Sequence, residues 1–135
     1  MDTLQRFGPL VGRILLGLIF VMSGFGKVTG FEGTVGYIAS KGLPMPQVAA
    51  AIGAIVELGG GLLLIFGWKT RLTAAVLFVF TAVAGALFHN FWAVPAEQAQ
   101  GQMIHFMKNL SIMGGMLYVV VYGSGPLAID NTDDR

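Results

Sequence analysis

Glu57 stands about midway along an unbroken apolar run, AIVELGGGLLLIF. An ionised carboxylate at the centre of a membrane helix costs roughly 2.5–3.5 kcal/mol on insertion scales. The group must therefore keep its proton or sit beside a cation. Arg13 and Lys27 are the cations at hand, on a stripe of Arg13, Gly17, Phe20, Gly24 and Lys27 whose spacings of four and three share one helix face. Two glycines on that stripe let another helix approach closely, so it is expected to face the interior of a bundle. His89 in FHNFW and the pair Lys108-Asn109 in FMKNLSIMGG complete the set. Together they offer a titratable carboxylate, an imidazole able to polarise a carbonyl or relay a proton, and a cation beside an amide that could orient an electron-rich ligand. Each residue also has a purely structural reading. Glu57 with Arg13 or Lys27 would be an ion pair that sets helix register, His89 an interfacial anchor among aromatics, and Lys108 a side chain reaching the headgroups. No metal site is expected from two histidines and no cysteine.

The elements that must position these residues are apolar runs long enough to cross a bilayer core, which takes roughly 20 helical residues. Four are expected, at about 9–26, 46–67, 72–92 and 103–122. Of the 135 residues 55% are hydrophobic and 11% charged, with a mean hydropathy of +0.74. A soluble domain carries about 25% charged residues. The expected fold is all-α, an integral membrane four-helix bundle forming a single domain. Pro44 and Pro46 suit a helix start, and Gly67 closes the second run before a short turn, so the second and third spans should form a tight hairpin. In FEGTVGYIASKGLP, Phe31, Val35 and Ile38 recur at helical spacing, which fits either a short interfacial helix or an ordered polar loop. AVPAEQAQGQ reads as a loop, and 126–135 as a flexible acidic tail.

Each span carries a face of polar and small residues: Gly53, Glu57, Gly60 and Leu64 on the second, Ala82, Gly85 and His89 on the third, and His105, Lys108, Asn109, Ile112 and Gly115 on the fourth. Tracing the chain back and forth puts Lys27, His89 and Lys108 in one leaflet with Glu57 deeper, so the four helices are expected to converge on a polar pocket. Arg6, Lys69, Arg71 and Arg135 fall on the other side, which predicts cytoplasmic N- and C-termini. A net charge of +1 without a basic run excludes a nucleic-acid footprint. Zero cysteines excludes thiol–disulfide catalysis and cysteine-ligated iron–sulfur centres within the chain.

The residues in this order resemble the DoxX family of small bacterial membrane proteins. The matching stretches are Arg13-Ile-Leu-Leu-Gly-Leu-Ile-Phe with Ser23-Gly24-Phe25-Gly26-Lys27, Glu57-Leu-Gly-Gly-Gly through Gly67 with Thr70-Arg71, Phe88-His89-Asn90-Phe91-Trp92, and Phe106-Met107-Lys108-Asn109-Leu110 with Gly114-Gly115 and Asp130. The resemblance implies a multi-pass protein of the bacterial inner (plasma) membrane and carries over Arg13, Lys27, Glu57, His89, Lys108 and Asn109 as its polar positions. The family takes its name from association with a thiosulfate:quinone oxidoreductase. By that resemblance the chain would be a quinone-binding or redox-associated membrane subunit, its partners the lipid bilayer, a membrane-associated redox protein and other copies of itself. The alternatives are a non-enzymatic scaffold or assembly factor and a small-solute or proton transporter. Lacking cysteine, the chain would not hold a sulfur-oxidising centre by itself.

Overall fold

A computed structural model describes residues 2–130, which form five α-helices and one 3-10 turn with no strand among them. Helix α1 spans Thr3–Thr29, α2 Phe31–Ser40, α3 Pro46–Phe66, α4 Thr70–Phe88 and α5 Ala96–Tyr122, with the 3-10 turn at Phe91–Ala93. α1, α3, α4 with the following turn, and α5 are each long and apolar enough to cross a membrane. The all-α membrane bundle expected from the sequence is what the chain forms.

The helices outrun the apolar stretches that mark them. α1 starts six residues before Pro9 because Asp2 and Gln5 form a capping box, the Asp2 carboxylate accepting from Gln5 N at 2.8 Å and the Gln5 amide oxygen from Asp2 N at 3.1 Å. AVPAEQAQGQ is not a loop: from Ala96 onward it makes the first two turns of α5. Hydropathy locates where a helix enters lipid, and a helix with satisfied ends continues past that point. α4, conversely, stops at Phe88, with His89 at its C-cap and the 3-10 turn after it. The segment after α1 takes the helical alternative, with Ile38 buried.

α1 lies along α3 and α5 along α4, the α3–α4 contact joins the two pairs, and α1 and α5 barely meet. The stripe on α1 faces inward as expected, with Arg13, Gly17, Phe20 and Gly24 all buried. Close approach requires glycine here: a Cβ on Gly17 would stand 2.9 Å from the Gly61 carbonyl oxygen, and one on Gly61 3.0 Å from that of Gly17. Phe20, Leu64, Ala74, Leu77 and Met116 bring all four long helices into one buried cluster. This apolar plug divides the bundle into a terminal end, holding the α3–α4 turn, and a loop end roofed by α2, where Tyr37 stacks on Phe88 at 5.7 Å.

The tail is the main correction to the sequence reading. Residues 126–130 are not flexible but close the terminal end. Ile129 N donates to Phe66 O at 3.1 Å and Asp130 N to Gly67 O at 2.8 Å, satisfying carbonyls at the end of α3. The Asp130 carboxylate accepts from Lys69 N at 2.8 Å and Thr70 N at 2.6 Å, capping α4. Lys69 itself takes a left-handed φ of 47°, a costly conformation held by these bonds. Positions 131–135 of the expected tail lie outside the described residues.

Candidate functional site

Above the plug, the loop end encloses a cavity of about 850 Å³. Lys27, Glu57, His89, Lys108 and Asn109 all line it, joined by Thr81. Most of the remaining wall is apolar, with Phe20, Ile38, Phe80, Leu87 and Ile112 prominent.

Lys27 Nζ forms an ion pair with Glu57 Oε1 and donates to Ser23 Oγ at 3.0 Å. Both ends of the pair follow from local structure. Glu57 is buried on the α3 face that packs on α1, and Lys27 lies one turn beyond Gly24, where α1 runs closest to α3. The cation that stabilises Glu57 is therefore Lys27, not Arg13.

Across the cavity, Asn109 Nδ2 donates to the Thr81 carbonyl at 3.2 Å, bridging α5 to α4. Gly85, one turn along α4, leaves the room: a Cβ there would stand 3.1 Å from Asn109 Nδ2. Thr81 is 3% exposed, and its Oγ1 has no hydrogen-bond partner among the described residues. Buried hydroxyls are rarely left so.

His89 Nδ1 meets Gln102 Oε1 at 2.9 Å, and the His89 ring stacks on His105 with centroids 5.0 Å apart. With the Gln102 oxygen facing it, Nδ1 is the donor of this bond, which leaves Nε2 as the ring nitrogen open to a ligand. Lys108, one turn from His105, is exposed at the edge of the cavity without hydrogen-bond or ion-pair partner among the described residues. Phe91, Trp92 and Phe106 pack edge to face beside this wall, at 5.2–5.5 Å.

Arg13, the sixth residue expected in the pocket, lies at the opposite end. Its Nη1 donates to Leu64 O at 3.2 Å and Ile65 O at 2.7 Å, and its Nη2 to Leu127 O, so it ties the end of α3 to the tail. It borders a smaller groove of about 410 Å³ with Tyr118 and Tyr122. Sequence reasoning also passed over Thr81, Ser23 and Gln102. Threonine and serine in an apolar helix cost little, so they raise no alarm, and Gln102 fell in a stretch read as loop.

The DoxX family profile matches residues 8–90. The inner membrane protein YphA of Escherichia coli is 40% identical over 122 residues, covering 90% of this chain and 86% of the relative. The inner membrane protein YqjF of the same organism is 38% identical over 130 residues, covering 96% and 95%. A Bacillus subtilis protein named putative oxidoreductase CatD is 39% identical over 87 residues, 64% of this chain and 63% of its own length. No solved structure matches the chain.

Proposed function

The chain belongs to the DoxX family of membrane proteins, and from that premise we propose that it is a membrane subunit binding a quinone or a similar lipid-soluble redox ligand. The observation that carries this reading is the convergence of Lys27, Glu57, Thr81, His89, Lys108 and Asn109 on one largely apolar cavity among helices long and apolar enough to cross a membrane. The naming of one relative as a putative oxidoreductase supports it. The residues fit such a ligand: apolar walls receive a ring and chain, and the unpartnered Thr81 Oγ1 is a buried polar group awaiting an oxygen.

A bound quinone would supply a carrier for electrons and protons. Asn109 and Lys108 would orient and polarise its oxygens. His89 Nε2 would accept a hydrogen bond or a proton, and Glu57 would hold a proton or release it, with Lys27 offsetting the charge. In this reading electrons come from or go to a membrane-associated redox partner protein, since the chain has no cysteine to hold an iron–sulfur centre. The basic terminal end, with Arg6, Lys69 and Arg71, faces the cytoplasm of a bacterial inner membrane, and self-association within the bilayer accompanies it.

Native mass spectrometry of the protein in mild detergent, with the co-extracted small molecules identified, tests this. A stoichiometric quinone, lost in Glu57→Gln while the helical circular dichroism persists, is the expected result. Wild-type and variant protein both carrying only bulk lipid would overturn it and favour a scaffold held by the Lys27–Glu57 pair.

A further inference from the structure

The cavity is not electrically balanced. Lys27 and Glu57 cancel, and Glu57 is the one carboxylate on its wall among the described residues. Lys108 adds a second positive charge without a hydrogen-bond or ion-pair partner among the described residues, on a cavity whose other polar side chains from α4, its C-cap and α5 are Thr81, His89, His105 and Asn109. A second unmet group lines the same cavity: the buried Thr81 Oγ1, on the α4 turn that Asn109, the residue after Lys108, bridges. Within a low-dielectric mouth an uncompensated ammonium attracts a negative atom far more strongly than in water.

The approach to that point lies on the lipid side. α1 and α5 meet at Leu16 and Gly115, where a Cβ on Gly115 would stand 3.0 Å from Leu16 Cδ2, and otherwise barely touch. Beyond that contact Ile19 and Ser23 on one helix, and His105 and Lys108 on the other, line the cavity.

Resting on the quinone reading, we propose that the ligand of this pocket carries an ionised ring oxygen, as in a hydroxyquinone anion or phenolate. It reaches Lys108 and the Thr81–Asn109 wall from the lipid, through the gap between α1 and α5. A neutral quinone satisfies Thr81 but leaves Lys108 without a counter-charge, and the anion satisfies both.

The test uses the full chain in phosphatidylcholine nanodiscs and isothermal titration with three probes: a hydroxynaphthoquinone that is anionic at neutral pH, its methyl ether, and naphthoate, which has the charge but no quinone carbonyls. The anion is expected to bind roughly tenfold or more tightly than the ether, the strength of a charge-assisted hydrogen bond. Lys108→Met should abolish that preference and Lys108→Arg should keep it. Equal binding of anion and ether, or a preference that survives Lys108→Met, overturns the inference and leaves the quinone reading standing. Lys108-dependent binding of naphthoate without any binding of the ether upholds the anion site and removes the quinone. No binding of any probe removes both.

Discussion

The two ends of the bundle each bury a charge, and they use it differently. At the terminal end Arg13 is 2% exposed and its guanidinium donates to three main-chain carbonyls, which come from α3 and the tail. At the loop end Glu57 is 6% exposed, but its partner is one flexible lysine, and the pair borders a large cavity. Main-chain partners cannot move without unfolding a helix end, so Arg13 is a lock. A side-chain partner can turn away, so the Lys27–Glu57 pair is the one that a ligand, in the proposed reading, would open. Burial of a charged group thus marks a site only where its partner is free to move and space adjoins it.

Substitution at the seam between the two ends should erase the contrast and have the largest effect. A Cβ on Gly24 would stand 2.8 Å from Leu58 Cα, against backbone that cannot yield. Gly24→Val should therefore cost about 3 kcal/mol or more and separate Lys27 from Glu57, losing thermal stability and pocket binding together. Confined to the terminal end, Arg13→Met leaves the Leu127 carbonyl without its donor and should cost roughly 2 kcal/mol. Probes of the cavity should bind the folded fraction of that variant unchanged; weakened binding would mean the ends are coupled. Asp130→Asn keeps the geometry but removes the negative charge at the start of α4, for about 1 kcal/mol. Faster amide exchange at Thr70 and Ile129, with the cavity unaffected, is the measurement that checks it.

The contrast between the ends was only half legible in the sequence. Periodicity assembled the loop end, because the stripe from Arg13 to Lys27 and the faces around Glu57, His89 and Asn109 are local patterns that survive folding. It misplaced Arg13 because a face specifies direction around a helix but not which neighbour a long side chain meets along it. The order in 126–130 was hidden for another reason. Its bonds join residues about 60 apart, such as Asp130 with Thr70, and a polar segment that caps distant helix ends is written like one that does nothing. Hydropathy likewise marked where helices meet lipid, so the polar first turns of α5, with Gln102, fell outside the span.

Gln102 gives the smallest expected effect on stability and the sharpest test of what distinguishes the loop end. Its amide oxygen faces His89 Nδ1 at 2.9 Å across one partly buried side-chain bond, an arrangement that favours a proton on Nδ1. Losing a single such bond costs about 1 kcal/mol or less, so Gln102→Leu should melt close to wild type. The consequence should instead be chemical. Without the acceptor, the neutral imidazole is free to place its proton on either nitrogen, and Nε2 becomes a donor in part of the population. Nitrogen NMR of labelled histidine should show His89 pass from the Nδ1-protonated tautomer to a mixture. A ligand hydroxyl that relies on the Nε2 lone pair should then bind a few-fold more weakly. Gln102→Glu, whose carboxylate accepts from the same nitrogen, should restore the tautomer. If the leucine variant keeps the wild-type tautomer, another acceptor fixes the ring, and the loop end is more rigid than its side-chain partners imply.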